Sequence, residues 1–232
     1  MDNTRTPVLY IVGNYNIDLV MGTLTHWPAQ GTEMMLEHSA LRPGGSAGNC
    51  ALAAAAMQLP HCTVGCQGDD AFTPWLAAQF PGDSARWPQY PCETSLTVAI
   101  THPNKERSFL SNHGHITRLT AGDVLSQLPA AAGEGDIVLL CGTFLCTGLL
   151  SDYPQLLATL RQRGFTLAVD TGWPPQGWSD PLRHEVDRWL GDCDWLLLND
   201  VETQQLAARP TLAEAAAALA ARLSGSGDRM LN

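Results

Sequence analysis

The sequence "LRPGGSAGNCALAAAA", residues 41–56, contains residue types that suit two different kinds of chemistry. Gly44, Ser46 and Gly48 match G-x-S-x-G, the pattern in which an α/β-hydrolase presents its serine nucleophile between a strand and a helix. The same letters describe a glycine turn that begins a helix and offers backbone N–H groups to a polar ligand. Ser46 is a catalytic nucleophile in the first interpretation and has no catalytic role in the second.

The residues around Ser46 favour the glycine turn over the hydrolase. A nucleophile elbow needs a central strand that runs into the serine, and Pro43 lacks the N–H group that such a strand would donate. Asp170 and His184 follow in the chain order of a hydrolase triad. His184 lies in the amphipathic sequence "DPLRHEVDRWL", however, and a solvated histidine is the simpler interpretation there.

A ligand site requires only that the glycine turn meet a second polar group of residues. Gly44 and Gly45 permit close approach of a ligand, and Asn49, one helical turn later, offers both a donor and an acceptor to hydroxyl groups. Asn16 and Asp18 follow the first predicted strand, at the edge where open α/β sheets bind ligands. An Asp18 carboxylate suits a vicinal diol. The alternatives are a packing-driven glycine pair and a capping turn.

Short apolar runs alternate with helical patterns along the chain. Strands that are apolar throughout and separated by helices predict an α/β fold with a mostly parallel sheet covered on both faces. The predicted strands are 8–12, 62–66, 136–141, 165–170 and 194–199. The predicted helices are 46–59, 70–80, 147–163, 180–190 and 212–223.

Two segments, residues 19–41 and 95–111, break this alternation and each resembles a hairpin. We expect them to form a small antiparallel sheet that covers one end of the α/β body. Its role is that of a lid, with an inert or dimerising flap as the alternative.

Composition and charge exclude several classes of function. The formal net charge is -10 and no Lys/Arg-rich run occurs, which argues against a nucleic-acid partner. The apolar run at 8–12 is too short for a signal peptide or a membrane span. Seven cysteines, an odd number, lie partly in apolar runs, which predicts buried thiols in the cytoplasm. His61, Cys62 and Cys66 could suggest a metal site. On a strand, however, Cys62 and Cys66 share one face while His61 points to the other, so two core thiols are the better interpretation.

Six segments together resemble the PfkB/ribokinase family of carbohydrate and nucleoside kinases, in the family's order. They are "VGNYNIDLV", "PAQGTE", "RPGGSAGNCALAAAAMQL", "VGCQGDDAF", "ERSFL" and "LLLNDVETQQL". Thr73 stands where the fourth segment usually ends in glycine. The resemblance implies one ribokinase-like domain over residues 1–232, with residues 19–41 and 95–111 as inserted lid segments. Such lids often pair between subunits, which implies a homodimer.

The resemblance also implies a substrate, a cofactor and the residues that hold them. A sugar or nucleoside would be bound by Asn16, Asp18, Gly44, Gly45 and Asn49. ATP would lie on the C-terminal half, with Mg²⁺ and phosphate near Asn199 and Glu202, because carboxylate and amide oxygens suit Mg²⁺. The alternative for this last pair is a capping box at a helix N-terminus.

The sequence departs from the family in one motif. The family's D-T-x-G-A-G-D, which supplies the anion-hole amides and the catalytic aspartate, does not occur in the 232 residues. We therefore expect a C-terminally truncated kinase that is inactive unaided, with the tail "SGSGDRMLN" lacking a structured end. A non-catalytic sugar- or nucleoside-binding remnant is the alternative. Members of the family that bind phosphorylated sugars often have a lysine after the glycine pair, where this sequence has Ser46. Lys105 is the only lysine in the chain, so an unphosphorylated ligand is favoured. Trp27 could stack on a base or a sugar ring.

Overall fold

The structure is a computed structural model that describes residues 5–223. The tail "SGSGDRMLN", residues 224–232, lies outside the described residues. The strands are β1 Leu9–Gly13, β2 Asn16–Gly22, β3 His38–Gly44, β4 His61–Val64, β5 Leu96–Thr101, β6 Arg107–Ser111, β7 Ile137–Cys141, β8 Thr166–Asp170 and β9 Trp195–Leu196. The α-helices are α1 Ser46–Ala56, α2 Thr73–Ala77, α3 Ala121–Gln127, α4 Thr147–Leu150, α5 Tyr153–Gln162, α6 Asp180–Leu190, α7 Asp200–Ala207 and α8 Leu212–Ala220.

The main sheet has five parallel strands in the order β4-β1-β7-β8-β9. Helices cover both of its faces, as the side chains of β1 show. Ile11 and Val12 are adjacent and fully buried, and they point into two separate core clusters. The Ile11 cluster includes α1 and α2, whereas the Val12 cluster includes α3 and α5 to α8. The predicted α/β fold with a mostly parallel sheet is confirmed.

Helix α1 lies close against the sheet because its buried face is made of small residues. Ala47, Ala51 and Ala54 are buried at helical spacing and pack in the cluster that contains Ile11. Small side chains at these positions let the helix backbone approach the strands. The N-terminus of α1 is thereby held at the carboxyl ends of the strands.

Several predicted elements are shorter or broken in the structure, among them the predicted helix 70–80, which is reduced to α2. The predicted helix 147–163 is two helices, α4 and α5, because Pro154 has no N–H group and its ring would clash with the Leu150 carbonyl. The predicted strand 194–199 is reduced to β9, which lies at the edge of the sheet and pairs with β8. A helix cap at Asn199 ends the extended segment.

The two predicted hairpins, β2–β3 and β5–β6, are antiparallel and combine into one four-stranded sheet, which we call the lid. Its order is β3-β2-β5-β6, and the central pair β2 and β5 is parallel. The expectation of a wholly antiparallel lid was therefore wrong. Both central strands are the first strands of their hairpins.

None of the helices within residues 5–223 combines the length and the apolar character that crossing a bilayer requires.

Candidate active site

Polar residues collect where β1 leaves the main sheet and enters the lid. Asn14 and Tyr15 connect β1 to β2, and Asn16 is the first residue of β2. Gly44, the last residue of β3, is paired with Asn16 across the hairpin. The carboxyl ends of parallel strands meet at the same edge of the sheet, which in open α/β folds is the edge that binds ligands.

Three side chains at this junction form a directed chain of hydrogen bonds. The Asn14 amide donates from Nδ2 to Oδ1 of Asn16 over 3.3 Å. The Asn16 amide in turn donates from Nδ2 to Oδ1 of Asp18 over 2.8 Å. Asn14 and Asn16 are buried, and Asp18 lies partly exposed at the open end of the chain. The chain thus ends on a carboxylate that can accept further hydrogen bonds.

The Asp18 carboxyl group is partly desolvated. Burial raises its pKa above the ordinary aspartate value of 3.8, and the Asn16 hydrogen bond opposes that rise. A carboxylate that has lost part of its water shell gains more from hydroxyl donors than a fully solvated one does.

The glycine turn leaves no room for side chains beside these residues. A Cβ built on Gly44 would lie 2.2 Å from the carboxyl carbon of Asp18. Gly45 has φ of 88°, and a Cβ there would lie 2.3 Å from the Asn14 carbonyl oxygen and 2.4 Å from Oδ1 of Asn16. The structure therefore brings Asn16, Asp18, Gly44 and Gly45 together.

Asn49 lies farther along the same turn than the four residues just described. Its N–H donates to the Gly45 carbonyl over 2.8 Å, and its side chain is exposed on α1. The exposure leaves the Asn49 amide accessible to a ligand at the start of the helix.

His115 supports the junction and had no motif in the sequence to identify it. It is fully buried, its Nδ1 accepts from the Ser95 N–H over 3.0 Å, and its Nε2 donates to the Tyr15 carbonyl over 3.0 Å. Burial lowers the pKa of His115 to about 4, so the ring is neutral at pH 7. Sequence reasoning could not identify it, because its partners lie 20 and 100 residues away.

Asn199 and Glu202 form the capping box that the sequence allowed as an alternative. Oδ1 of Asn199 accepts from the Glu202 N–H over 2.9 Å, and Oε2 of Glu202 accepts from the Asn199 N–H over 3.1 Å. Glu202 is buried at the start of α7. The two residues therefore define how that helix begins at the sheet edge.

Asp170 faces this helix start from the end of β8. Burial raises the pKa of Asp170 first, the nearby Glu202 carboxylate raises it further, and the Gly172 N–H opposes both. The Gly172 nitrogen lies 3.0 Å from Oδ1 of Asp170. The charge of Glu202 therefore acts on Asp170 at the carboxyl edge of the main sheet.

A pair of thiols connects the glycine-turn helix to the main sheet. The Cys141 thiol at the end of β7 donates to Sγ of Cys50 in α1, at 3.9 Å between the sulfurs. This hydrogen bond lowers the pKa of Cys50 to about 7, while the pKa of the buried Cys141 is raised.

The structure does not support the hydrolase interpretation of Ser46. β3, which runs into Gly44 and Ser46, is an edge strand of the lid rather than a central strand of the main sheet. The His184 ring lies exposed on α6, with Nδ1 2.8 Å from the Asp180 carbonyl oxygen.

Trp27 contacts His102 at the tip of the other hairpin, with ring centroids 6.3 Å apart.

A family model and several solved structures of known proteins match this chain. The model of the pfkB family carbohydrate kinases matches residues 8–226. A ribokinase of Arabidopsis thaliana, complexed with ribose and ATP, superposes with a TM-score of 0.69 at 19% identity, over 94% of this chain and 70% of that one. No match was found among curated proteins.

Two further solved structures have the same architecture. A fructokinase of Xylella fastidiosa with bound ATP gives a TM-score of 0.69 at 16% identity, over 93% of this chain and 69% of that one. A putative ribokinase II of E. coli in its apo form gives 0.74 at 14% identity, over 94% and 70%. At these identities the likeness establishes the fold.

Proposed function

The chain belongs to the pfkB family of carbohydrate kinases, and we propose that it binds a neutral sugar at the junction of β1 and the lid. The reaction proposed for that site is transfer of the γ-phosphate of ATP to a sugar hydroxyl. The close approach of Gly44 to Asp18 carries the proposal, because it keeps a partly buried carboxylate free of covering side chains.

The site offers the hydrogen-bonding groups that a polyol requires. Oδ1 of Asp18 already accepts from Asn16, which leaves the rest of the carboxylate for substrate hydroxyl groups. The exposed Asn49 amide supplies a donor and an acceptor at the other end of the glycine turn. Gly44 and Gly45 allow the sugar to approach the backbone between them.

The charges near the site favour a neutral sugar over a sugar phosphate. The site's own charge is the Asp18 carboxylate, and the residue that follows the glycine pair is the neutral Ser46. The only lysine, Lys105, lies at the tip of the second hairpin. Arg42 faces Asp18 across the β2–β3 pair but is exposed, so it remains solvated.

The ATP and Mg²⁺ side of the site is proposed at the start of α7. Asp170 and Glu202 supply carboxylate oxygens, the ligand type that Mg²⁺ prefers, and a divalent cation would offset the Glu202 charge that raises the Asp170 pKa. Asn199 and Glu202 hold the helix start through the capping box. When bound, Mg²⁺ would neutralise charge on the transferred phosphoryl group.

We propose that the 232 residues bind sugar without transferring phosphate by themselves. The resemblance assigns the base that accepts the hydroxyl proton to a D-T-x-G-A-G-D motif, which this sequence does not contain. ATP-dependent formation of a sugar phosphate by this chain alone would contradict this part of the proposal.

We also propose that a second copy of the chain covers the lid. Leu41 and Leu110 are large apolar side chains exposed on the same face of the lid. Burying them against another lid would remove this surface from water. A molar mass measured by light scattering that equals one chain at micromolar concentration would contradict the dimer.

The experiment that tests the function is thermal unfolding of the chain with a panel of ligands. Pentoses, hexoses, their phosphates and nucleosides are each added with and without Mg-ATP. A ligand at 100 times its dissociation constant stabilises the folded state by roughly 2.7 kcal/mol. We expect a neutral sugar to stabilise the chain without ATP. Stabilisation only by a sugar phosphate would overturn the neutral ligand and direct attention to Arg42.

A further inference from the structure

Asn14 has a buried side chain whose oxygen is left without a partner. The residue is 2% exposed, and among residues 5–223 its Oδ1 has no hydrogen-bond partner. A Cβ built on Gly142 would lie 2.2 Å from this oxygen, so no side chain from that position could supply a donor. Leaving a buried acceptor unpaired destabilises a folded protein, and such an arrangement calls for an explanation.

The orientation of the neighbouring Asn16 amide supplies that explanation. An ionised Asp18 only accepts hydrogen bonds, so Asn16 must turn its Nδ2 toward Asp18. The Ile17 carbonyl oxygen, 3.5 Å from the same nitrogen, requires the same orientation. Oδ1 of Asn16 then faces Asn14, which must present its own Nδ2 there and turn its oxygen away.

We propose that Asn14 is a positioning residue of the sugar site: its Nδ2 pairs Oδ1 of Asn16 and so completes the set of hydrogen bonds that keeps the Asn16 Nδ2 directed at the substrate-binding carboxylate of Asp18. This inference rests on the proposed function, because the hydroxyl groups that would donate hydrogen bonds to Asp18 are those of the sugar. Asn14 acts through Asn16, and its unpaired Oδ1 is the cost of that orientation.

The other groups that face Asp18 do not replace this chain of amides. Its neighbour across β3 is the exposed Arg42, and its neighbour across β5 is Thr97, which does not titrate near neutral pH. The titratable group in the first turns of α1 is Cys50, which is hydrogen-bonded to Cys141.

The test compares Asn14→Leu, which has the same branching at Cγ and no amide, with the unmodified chain. The first readout is the Asp18 pKa, measured without ligand by carbon NMR of its carboxyl group. We expect a rise of about one unit, since the released Asn16 amide no longer donates reliably. The second readout is the pH of half-maximal sugar binding, which we expect to move upward together with the Asp18 pKa.

Stability separates a positioning role from a merely structural one. Asn14→Leu removes the unpaired Oδ1 but also leaves the buried Oδ1 of Asn16 without its donor, so we expect the two effects to offset and the free energy of unfolding to change little. Asn112→Leu is the matched control, because both ends of the Asn112 amide are paired, with Leu96 and Thr94. This control is expected to lose stability and to leave the Asp18 pKa in place. Asn14→Ala provides a second variant that introduces no added bulk.

The outcomes distinguish the inference from the proposed function. An unchanged Asp18 pKa in both Asn14 variants overturns the inference, even if the unmodified chain binds sugar. Absence of sugar binding by the unmodified chain overturns the proposed function, and the ligand-free pKa still decides whether Asn14 orients Asn16.

Discussion

Gly44 and Asp18 lie so close across the first lid hairpin that a Cβ added at Gly44 would be 2.2 Å from the Asp18 carboxyl carbon and from Oδ2. Gly44 lies outside the left-handed region of backbone conformation, so close approach rather than an unusual φ requires glycine there. The consequence is an accessible, partly buried carboxylate beside bare backbone.

Gly44→Ala therefore changes binding more than folding. The added methyl would displace the Asp18 side chain, which can move at small cost, and we expect sugar affinity to fall at least about tenfold. Gly191→Ala is the control, since a Cβ there meets nothing within 4 Å. Calorimetric titration with the sugar found in the panel measures both variants. Equal affinities would show that the space beside Asp18 is not used.

Gly45→Ala is expected to destabilise the fold as well. Gly45 and Gly82 have nearly equal φ, 88° and 87°, so alanine carries a similar backbone strain at both. Only at Gly45 would the Cβ clash, with the Asn14 carbonyl oxygen and with Asn16, whereas at Gly82 it meets nothing within 4 Å.

Urea unfolding of the two glycine variants isolates the clash from the strain. We expect Gly45→Ala to lose about 1–3 kcal/mol more than Gly82→Ala, the range seen when extra atoms are forced into packed sites. Equal losses would mean that the turn relaxes around the methyl without cost.

His115 gives the stability of the protein a pH dependence with a definite sign. Its pKa is lowered from 6.5 to about 4 by burial, so below pH 6.5 the unfolded chain binds a proton that the folded chain refuses. His115 therefore contributes about 3 kcal/mol to the free energy of unfolding above pH 6.5, and this contribution is lost as the pH falls toward 4.

Chemical unfolding between pH 7 and pH 4 measures this dependence. His115→Gln should flatten the decline, while His184→Gln, at an exposed position on α6, should leave it as it is. A decline of the same slope in His115→Gln would contradict the assignment of the buried neutral histidine.

Cys50 is expected to react as a thiolate near neutral pH. The Cys141 hydrogen bond lowers the Cys50 pKa to about 7, so alkylation by iodoacetamide should rise with a midpoint near that pH. Cys141→Ala removes the donor and should move the midpoint upward. Mass spectrometry of the alkylated peptides measures it, and an unmoved midpoint would show that Cys141 is not the cause.

Much of the fold could be predicted because uninterrupted apolar runs indicate buried strands. The neighbours Ile11 and Val12 point to opposite faces, so a strand that is apolar at both positions must be covered on both sides. The predicted helix 180–190 has the bounds of α6 because Ser179 caps its start, Leu182 N–H donating to Ser179 Oγ, and amphipathic spacing continues to Leu190. The glycine turn was recognisable because few residues other than glycine tolerate the conformation of Gly45.

What the sequence could not provide depends on contacts between distant segments. The parallel pairing of β2 with β5 joins two separate hairpins, and no local pattern specifies the direction of that pairing. The role of His115 depends on Tyr15 and Ser95, and the orientation of Asn14 depends on a chain of amides that ends at Asp18. Residue types at fixed spacing do not reveal which amide oxygen is left unpaired.

The most direct test of the central claim is calorimetric titration of a neutral sugar into three proteins: the unmodified chain, Asp18→Asn and Asp152→Asn. Asp152 is exposed and makes no capping bond, so its substitution reproduces the chemical change away from the site. We predict saturable binding by the unmodified chain and by Asp152→Asn, with affinity reduced at least about tenfold in Asp18→Asn. No saturable binding of any neutral sugar, or equal affinity in all three proteins, would contradict the account.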